Sequence, residues 1–138
     1  MNNNLTCRIL RGETEVFSSE QNGIAPLISI IDGGLDVTGC TAYDKIVGKA
    51  AALLYVLMGV KCVHAGILSE AGESVLKANG IEVTGDTVVE KIINRTGDGI
   101  CPMEMTVADI NDPSLALTAL KEKIRFLKEQ ANKKINKQ

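Results

Sequence analysis

Two stretches of this chain set reactive and charged side chains beside glycines, in patterns that make sense only near a partner. Residues 44–54 read Asp-Lys-Ile-Val-Gly-Lys-Ala-Ala-Ala-Leu-Leu, and residues 92–104 read Ile-Ile-Asn-Arg-Thr-Gly-Asp-Gly-Ile-Cys-Pro-Met-Glu. In the first, Asp44 suits a helix cap. Lys45 and Lys49, four apart, share one face of a helix. Their surroundings are apolar, and an ammonium group there is costly unless it is paired or faces a cavity. In the second, Asn94 and Arg95 suit recognition of an anion or a carboxylate. Cys101 offers a thiol nucleophile. Glu104 offers an acid, a base, or a partner for Arg95 or Lys45. Pro102 fixes the backbone between them. Loops held so tightly serve sites more often than they merely connect.

Cys40 is expected at the end of a strand, just before the helix that Thr41 or Asp44 opens. There its thiol would meet the positive end of the helix dipole, which favours thiolate. The plainer reading is a small buried residue in a tight Gly-Cys-Thr junction. Gly48-Lys49 is not a phosphate loop. That motif needs a glycine where Tyr43 stands and a hydroxyl residue where Ala50 stands. Gly48 is better read as permitting close packing. His64, the single histidine, lies in an apolar run and reads as a hydrogen-bonded core residue rather than a catalyst. Cys7, Cys40, Cys62 and Cys101 form no C-x-x-C pair, and no H-x-E occurs, so no metal site is expected. Ser69 lacks a nucleophile-elbow signature but sits where a strand turns into a helix.

These residues need elements to hold them. The alternation of Leu5, Cys7 and Ile9, the Gly12-Glu13 turn and residues 14–18 predict a hairpin. Pro26 and Gly33-Gly34 bracket a short helix over 24–31. Residues 35–41 predict a strand, and a helix apolar nearly all round follows to Gly59, hence buried. Residues 61–68 read as a central strand covered on both faces. Ser69 opens a helix with Glu70 and Glu73 in its first turn, ending before Gly80. A short strand over 81–83 and a helical turn over 88–93 lead into the 94–104 loop. Asp112-Pro113 caps a terminal helix carrying Leu117, Leu120, Ile124 and Leu127, which frays at Lys133, Lys134 and Lys137. Strands alternating with helices predict a three-layer α-β-α sandwich, with ligands at the carboxyl ends of strands. Residues 1–110 form that α/β domain. Residues 111–138 are a helical, basic extension packed on it or projecting from it.

Composition narrows the function. The chain has 138 residues, 45% of them hydrophobic but only 3% aromatic, and a formal net charge of -2. One domain with an aliphatic core is expected. Neither a basic face nor an aromatic platform is available for nucleic acid. No apolar run reaches spanning length and no signal core is present, so no membrane partner is expected and the chain reads as cytoplasmic, with reduced thiols.

The residue 44–54 and 92–104 motifs, together with Gly59-Val60, residues 65–69, Gly80-Ile81 and residues 23–27, resemble an uncharacterised family called domain of unknown function 1893. The resemblance runs to about Val107 and leaves the terminal helix outside it. It implies a cytidine-deaminase-like fold. In catalytic deaminases a His-Ala-Glu at one helix start and a Pro-Cys-x-x-Cys at the next hold zinc. Here the first start falls near Asn22-Gly23, without His or Glu. The second position reads Gly-Cys-Thr-Ala-Tyr, where only Cys40 is a ligand type. Zinc-water deamination is therefore not expected, and no cofactor is implied. The expected function is binding of a small polar or anionic, nucleotide-like metabolite. Cys40, Cys101 and Glu104 are the candidate catalytic residues. Asn22, Gly23, Thr41, Asp44, Lys45, Lys49, Ser69, Asn94 and Arg95 are the candidate ligand contacts. The alternative is a non-catalytic regulatory module or homo-oligomer, with the aliphatic stripe of the terminal helix as its interface.

Overall fold

The computed structural model describes residues 4–94 and 96–136, with side chains through Lys133. The elements run β1 (Cys7–Arg11), β2 (Thr14–Ser19), α1 (Ala25–Gly33), β3 (Thr41–Val47), α2 (Lys49–Met58), β4 (Cys62–Ser69), α3 (Glu70–Ala78), β5 (Glu82–Val89), α4 (Pro102–Val107) and α5 (Pro113–Asn136). They form a mixed α/β fold around a five-stranded sheet of order β2-β1-β3-β4-β5. The hairpin strands pair antiparallel with each other and β1 with β3, whereas β3, β4 and β5 run parallel.

The hairpin, α1, β4, α3 and the start of α5 fall where the sequence places them. Ser69 Oγ accepts from Gly72 N at 2.9 Å, and Asp112 Oδ1 accepts from Ser114 N and Leu115 N. Each cap satisfies backbone donors that a helix start leaves open. Three expectations are corrected. Residues 35–40, read with Thr41 as a strand, are turns and irregular backbone ahead of β3. Residues 41–47, read as a helix start, are β3, so neither Thr41 nor Asp44 caps α2; Gly48 is its N-cap. Residues 82–89, read as a short strand and a helical turn, are one continuous strand.

The layering also differs from the expected helix–sheet–helix sandwich. Parallel crossovers are right-handed, and β3, β4 and β5 succeed one another in one direction, so α2 and α3 lie on the same face of the sheet. Helix α2 packs against α1, α3, α4 and α5. Its residues Ala52, Leu54 and Tyr55 are fully buried, as are Ala116 and Leu120 of α5. The helix is thus apolar all round because it is enclosed by the sheet and four helices. The opposite face of the sheet carries Tyr43, Lys45 and Thr84 toward solvent, with His64 half-buried.

Within the helix-covered side, burial follows Ala42, Asp44, Val47 on β3 and Val63, Ala65, Leu68 on β4, two residues apart and then three. Asp44 therefore turns its carboxylate inward. The Tyr55 hydroxyl donates to Asp44 Oδ2 at 2.7 Å, and Cys7 Sγ lies 3.5 Å from Tyr55 Oη. Because the phenol proton is spent on Asp44, the thiol of Cys7 is the donor to Tyr55. This relay ties β1, β3 and α2 together. Asp44 as a whole residue is only half-buried, but its carboxylate meets a fully buried phenol, and that environment governs its titration. Burial pushes Asp44 up to about 6, opposed by its hydrogen bonds from Tyr55 and the backbone. Burial, with the Asp44 charge, pushes Cys7 up to about 12.

A proton held to about pH 6 in the folded chain is released near 3.8 when the carboxyl is free. The folded state binds more protons across that window, so ionising Asp44 lowers stability as pH rises through it. The cost is roughly 3 kcal/mol, at about 1.4 kcal/mol per pK unit. Asp44→Asn should remove that slope. Denaturant titrations at pH 4 to pH 7 should show the variant gaining on the wild type by roughly 2–3 kcal/mol as pH rises. A constant difference across the range would contradict a buried, proton-holding Asp44.

Candidate functional site

The carboxyl ends of the three parallel strands converge on one cleft, the position at which α/β sheets hold ligands. Gly48-Lys49 follow β3, Ser69 ends β4, and Glu90, Lys91 and Ile92 follow β5. The cleft has a volume of about 420 Å³ and is lined by these side chains, by Ala71, Ser74 and Val75 of α3, and by Ile100, Glu104, Met105, Ala108 and Asn111. Its walls are largely aliphatic, with polar groups at a few points, as small-molecule sites are.

The two sequence motifs meet here. Glu104 is brought over the start of α2, where Oε1 accepts from Lys49 N at 2.7 Å and Oε2 from Ala50 N at 2.8 Å. One carboxylate thus caps two open N–H groups and sits at the positive end of the helix dipole. Gly48 makes the approach possible. A Cβ there would stand 2.5 Å from Glu104 Cδ and 2.8 Å from Oε2. On its other side, a Cβ on Gly72 would come within 3.0 Å of the Gly48 carbonyl. Gly48 has φ -104° and ψ -167°, open to any residue, so the requirement is space and not conformation. Lys49 Nζ reaches back to the carbonyl of Ala108 at 2.9 Å, tying α2 to the end of α4.

The loop before α4 is closed on itself. Asn94 N donates to the Gly99 carbonyl at 2.8 Å, and Asn94 Nδ2 and Thr96 Oγ1 both donate to Asp98 Oδ1. Those bonds hold the Asp98 carboxyl below its usual range. Ile93 bridges to Ile100, and Cys101 N donates to the Ile92 carbonyl at 3.0 Å. Asn94 therefore shapes the turn that delivers Glu104.

Of the expected site residues, Lys49, Ser69 and Glu104 line the cleft. Cys101 is the N-cap of α4, one turn from Glu104. The Glu104 carboxylate is engaged in capping α2. Cys40 and Thr41 are not at a helix start. Thr41 opens β3 and Cys40 directly precedes it, about 23 Å of strand from Gly48 at ~3.3 Å per residue. Cys40 is fully buried, as in the plainer reading of it. Asp44 lies in the buried relay, and Lys45 stands exposed on β3 rather than on a helix. Asn22 and Gly23 precede α1 and are not among the cleft residues. Arg95 lies outside the described residues. Glu90, Lys91, Met105 and Asn111 were not anticipated. For Glu90 and Lys91 the signal was the end of β5, hidden by the polar run Thr84-Gly85-Asp86-Thr87; Met105 and Asn111 come to the cleft with α4 and the residues after it. Among the described residues, no three His, Cys, Asp or Glu are grouped to hold a metal ion, and no helix is long and apolar enough to cross a membrane.

A family model described as TM1506, domain of unknown function (DUF1893), matches residues 1–124. The chain belongs to this family. The match passes Val107 and takes in α5 as far as Ile124, beyond the expected limit. The crystal structure of a DUF1893 family protein (TM1506) from Thermotoga maritima, at 2.70 Å resolution, superposes with a TM-score of 0.80. It is 24% identical, and the alignment covers 86% of this chain and 80% of that one, so the fold is shared. No curated protein matches.

The cap yields a double-mutant prediction. Glu104→Ala should cost about 1–2 kcal/mol, the usual range for losing an N-cap. Gly48→Ala should cost at least as much, because its methyl displaces the same carboxylate. The pair should cost less than the sum by about 1 kcal/mol, since the second change removes a contact already lost. Additive effects in denaturant melts would mean that Gly48 and Glu104 act separately.

Proposed function

We propose that this protein binds a small polar metabolite in the cleft at the carboxyl ends of β3, β4 and β5, on a zinc-free, cytidine-deaminase-like fold. The observation that carries this reading is the cleft itself, formed by both distinctive sequence motifs at the strand ends. The element order and the starts of α2 and α3 beside the cleft support the deaminase-like assignment, on a sheet whose other face is open. At the start of α2 stand Gly48, Lys49 and Ala50, with neither thiol nor imidazole.

The charge inventory favours the polar branch of the expectation over the anionic one. Lys49 and Lys91 are balanced by Glu90 and Glu104. The N–H donors that would have received a phosphate are already held by Glu104. A neutral or zwitterionic ligand fits, with an apolar flank against Val75, Ile92 and Met105 and hydrogen-bonding groups toward Ser69 and Glu104. The lining contains no aromatic ring, so a nucleoside would be held by aliphatic contact and not by stacking.

A thermal-shift screen of neutral nucleosides, amino sugars, nucleotides and sugar phosphates tests this. A ligand at a hundredfold excess over its Kd stabilises by about 2.7 kcal/mol, which is several degrees for a chain of this size. Neutral or zwitterionic compounds should raise Tm, and Ser74→Trp, which fills the cleft from an exposed helix position, should abolish the shift. Stabilisation by phosphates alone, or a shift unchanged in Ser74→Trp, would overturn the reading.

A further inference from the structure

The open face of the sheet carries a second arrangement of reactive groups, remote from the cleft. Cys62 Sγ on β4 lies 3.4 Å from His64 Nε2, and His64 Nδ1 lies 2.6 Å from Thr84 Oγ1 on β5. The Tyr43 ring of β3 stacks on the imidazole, with centroids 4.8 Å apart and planes at 20°. Three adjacent parallel strands in register therefore contribute one residue or more each. The order is thiol, base, orienting hydroxyl, the arrangement by which a cysteine nucleophile is activated. In the tautomer that donates Nδ1–H to Thr84 Oγ1, the Nε2 lone pair faces the thiol, and this is the form that can accept its proton.

We infer that Cys62, His64 and Thr84 form a modification site at which the thiol exchanges with small-molecule disulfides. Burial, and then the Glu82 carboxylate, push the Cys62 thiol up, so it is a thiol at rest and not a standing thiolate. His64 acts at the encounter. Nε2 takes the Cys62 proton as Sγ attacks one sulfur of the disulfide. The new S–S bond forms, the old one breaks, and the departing thiolate takes the proton from the imidazolium. One disulfide and one thiol are consumed, and a mixed disulfide and one thiol are produced. Tyr43 and Thr84 are positioning residues that hold the ring. Cys62 is 7% exposed, against 0% for Cys40 and 3% for Cys7, so it is the reachable member of the three buried thiols. Cys101, half-buried in its loop, has no imidazole beside it and serves as the internal control.

The test is the rate of mixed-disulfide formation with 2-hydroxyethyl disulfide at neutral pH, mapped by mass spectrometry on the intact chain. Cys62 should be modified while Cys7 and Cys40 are spared. His64→Gln should slow Cys62 at least tenfold with Cys101 unchanged, the low end of a general-base contribution. Thr84→Val should slow it severalfold and Thr84→Ser should restore it, which a purely structural loss would not do. All rates are compared in variants whose Tm matches the wild type; a variant that fails this is replaced by His64→Asn. A Cys62 rate unaffected by either His64 substitution, or a Cys62 unmodified while Cys101 reacts, would overturn the inference.

Discussion

The contact between the Glu104 carboxylate and the first two N–H groups of α2 is the joint on which the rest of the molecule depends. Helix α2 is short and almost wholly aliphatic, with no acidic residue in its first turn and no side-chain cap of its own. A buried helix start with unsatisfied donors is costly. The sequence meets that cost fifty-odd positions downstream, with a carboxylate carried on a rigid Cys-Pro turn. A charge-assisted cap of this kind is worth more than a neutral one. It also fixes where α4 lies, and so where one wall of the cleft stands. Gly48 and Gly72 are the steric conditions for the joint: one leaves room for the carboxylate, and the other leaves room for Gly48.

From that joint the layering follows. Right-handed crossovers send α2 and α3 to one side of the parallel strands, and α5 closes over α2 with Ala116 and Leu120. Small residues on α2 let these layers approach closely, which is how an aliphatic core with 3% aromatic residues reaches full burial. The single buried aromatic at the centre, Tyr55, needs a partner for its hydroxyl. Asp44 supplies it, at the cost of holding a carboxyl far from its usual titration range. A polar relay in the core and a carboxylate at the helix start thus set the register of β3 against α2 from both ends.

Much of this was legible in the sequence. The hairpin, α1, β4 and the Ser69 and Asp112 caps all announced themselves through turn residues and caps. Two errors share one cause. Residues 41–47 and 82–89 are strands with one face toward solvent, so their polar residues broke the pattern of a buried strand. An acid followed by a lysine before an aliphatic run resembles a helix start, which is how Asp44 and Lys45 read. The true cap, Gly48, carries no side chain to advertise it, and its partner lies far away in the chain. A site built from a missing side chain and a distant carboxylate leaves no local signature. Cys40 follows the same logic: with α2 starting several residues later, it precedes the opposite end of β3 from the helix start.

The placement of Glu104 also decides the chemical character of the cleft. A helix start beside strand ends is a ready anion site, and nothing in residues 44–54 hints that it is taken. By filling it with an internal carboxylate, the fold converts a phosphate-seeking corner into one whose remaining valences are oxygen lone pairs. Carboxylate oxygens accept and do not donate when ionised. On the proposed reading, a ligand in the cleft brings donors to Glu104 and Glu90 and finds its counter-charge in Lys91, while Lys49 is engaged by the Ala108 carbonyl. The sign of the group at one helix start, fixed by a glycine that leaves room for it, is what separates this cleft from the nucleotide phosphate sites that the same strand-end geometry serves elsewhere.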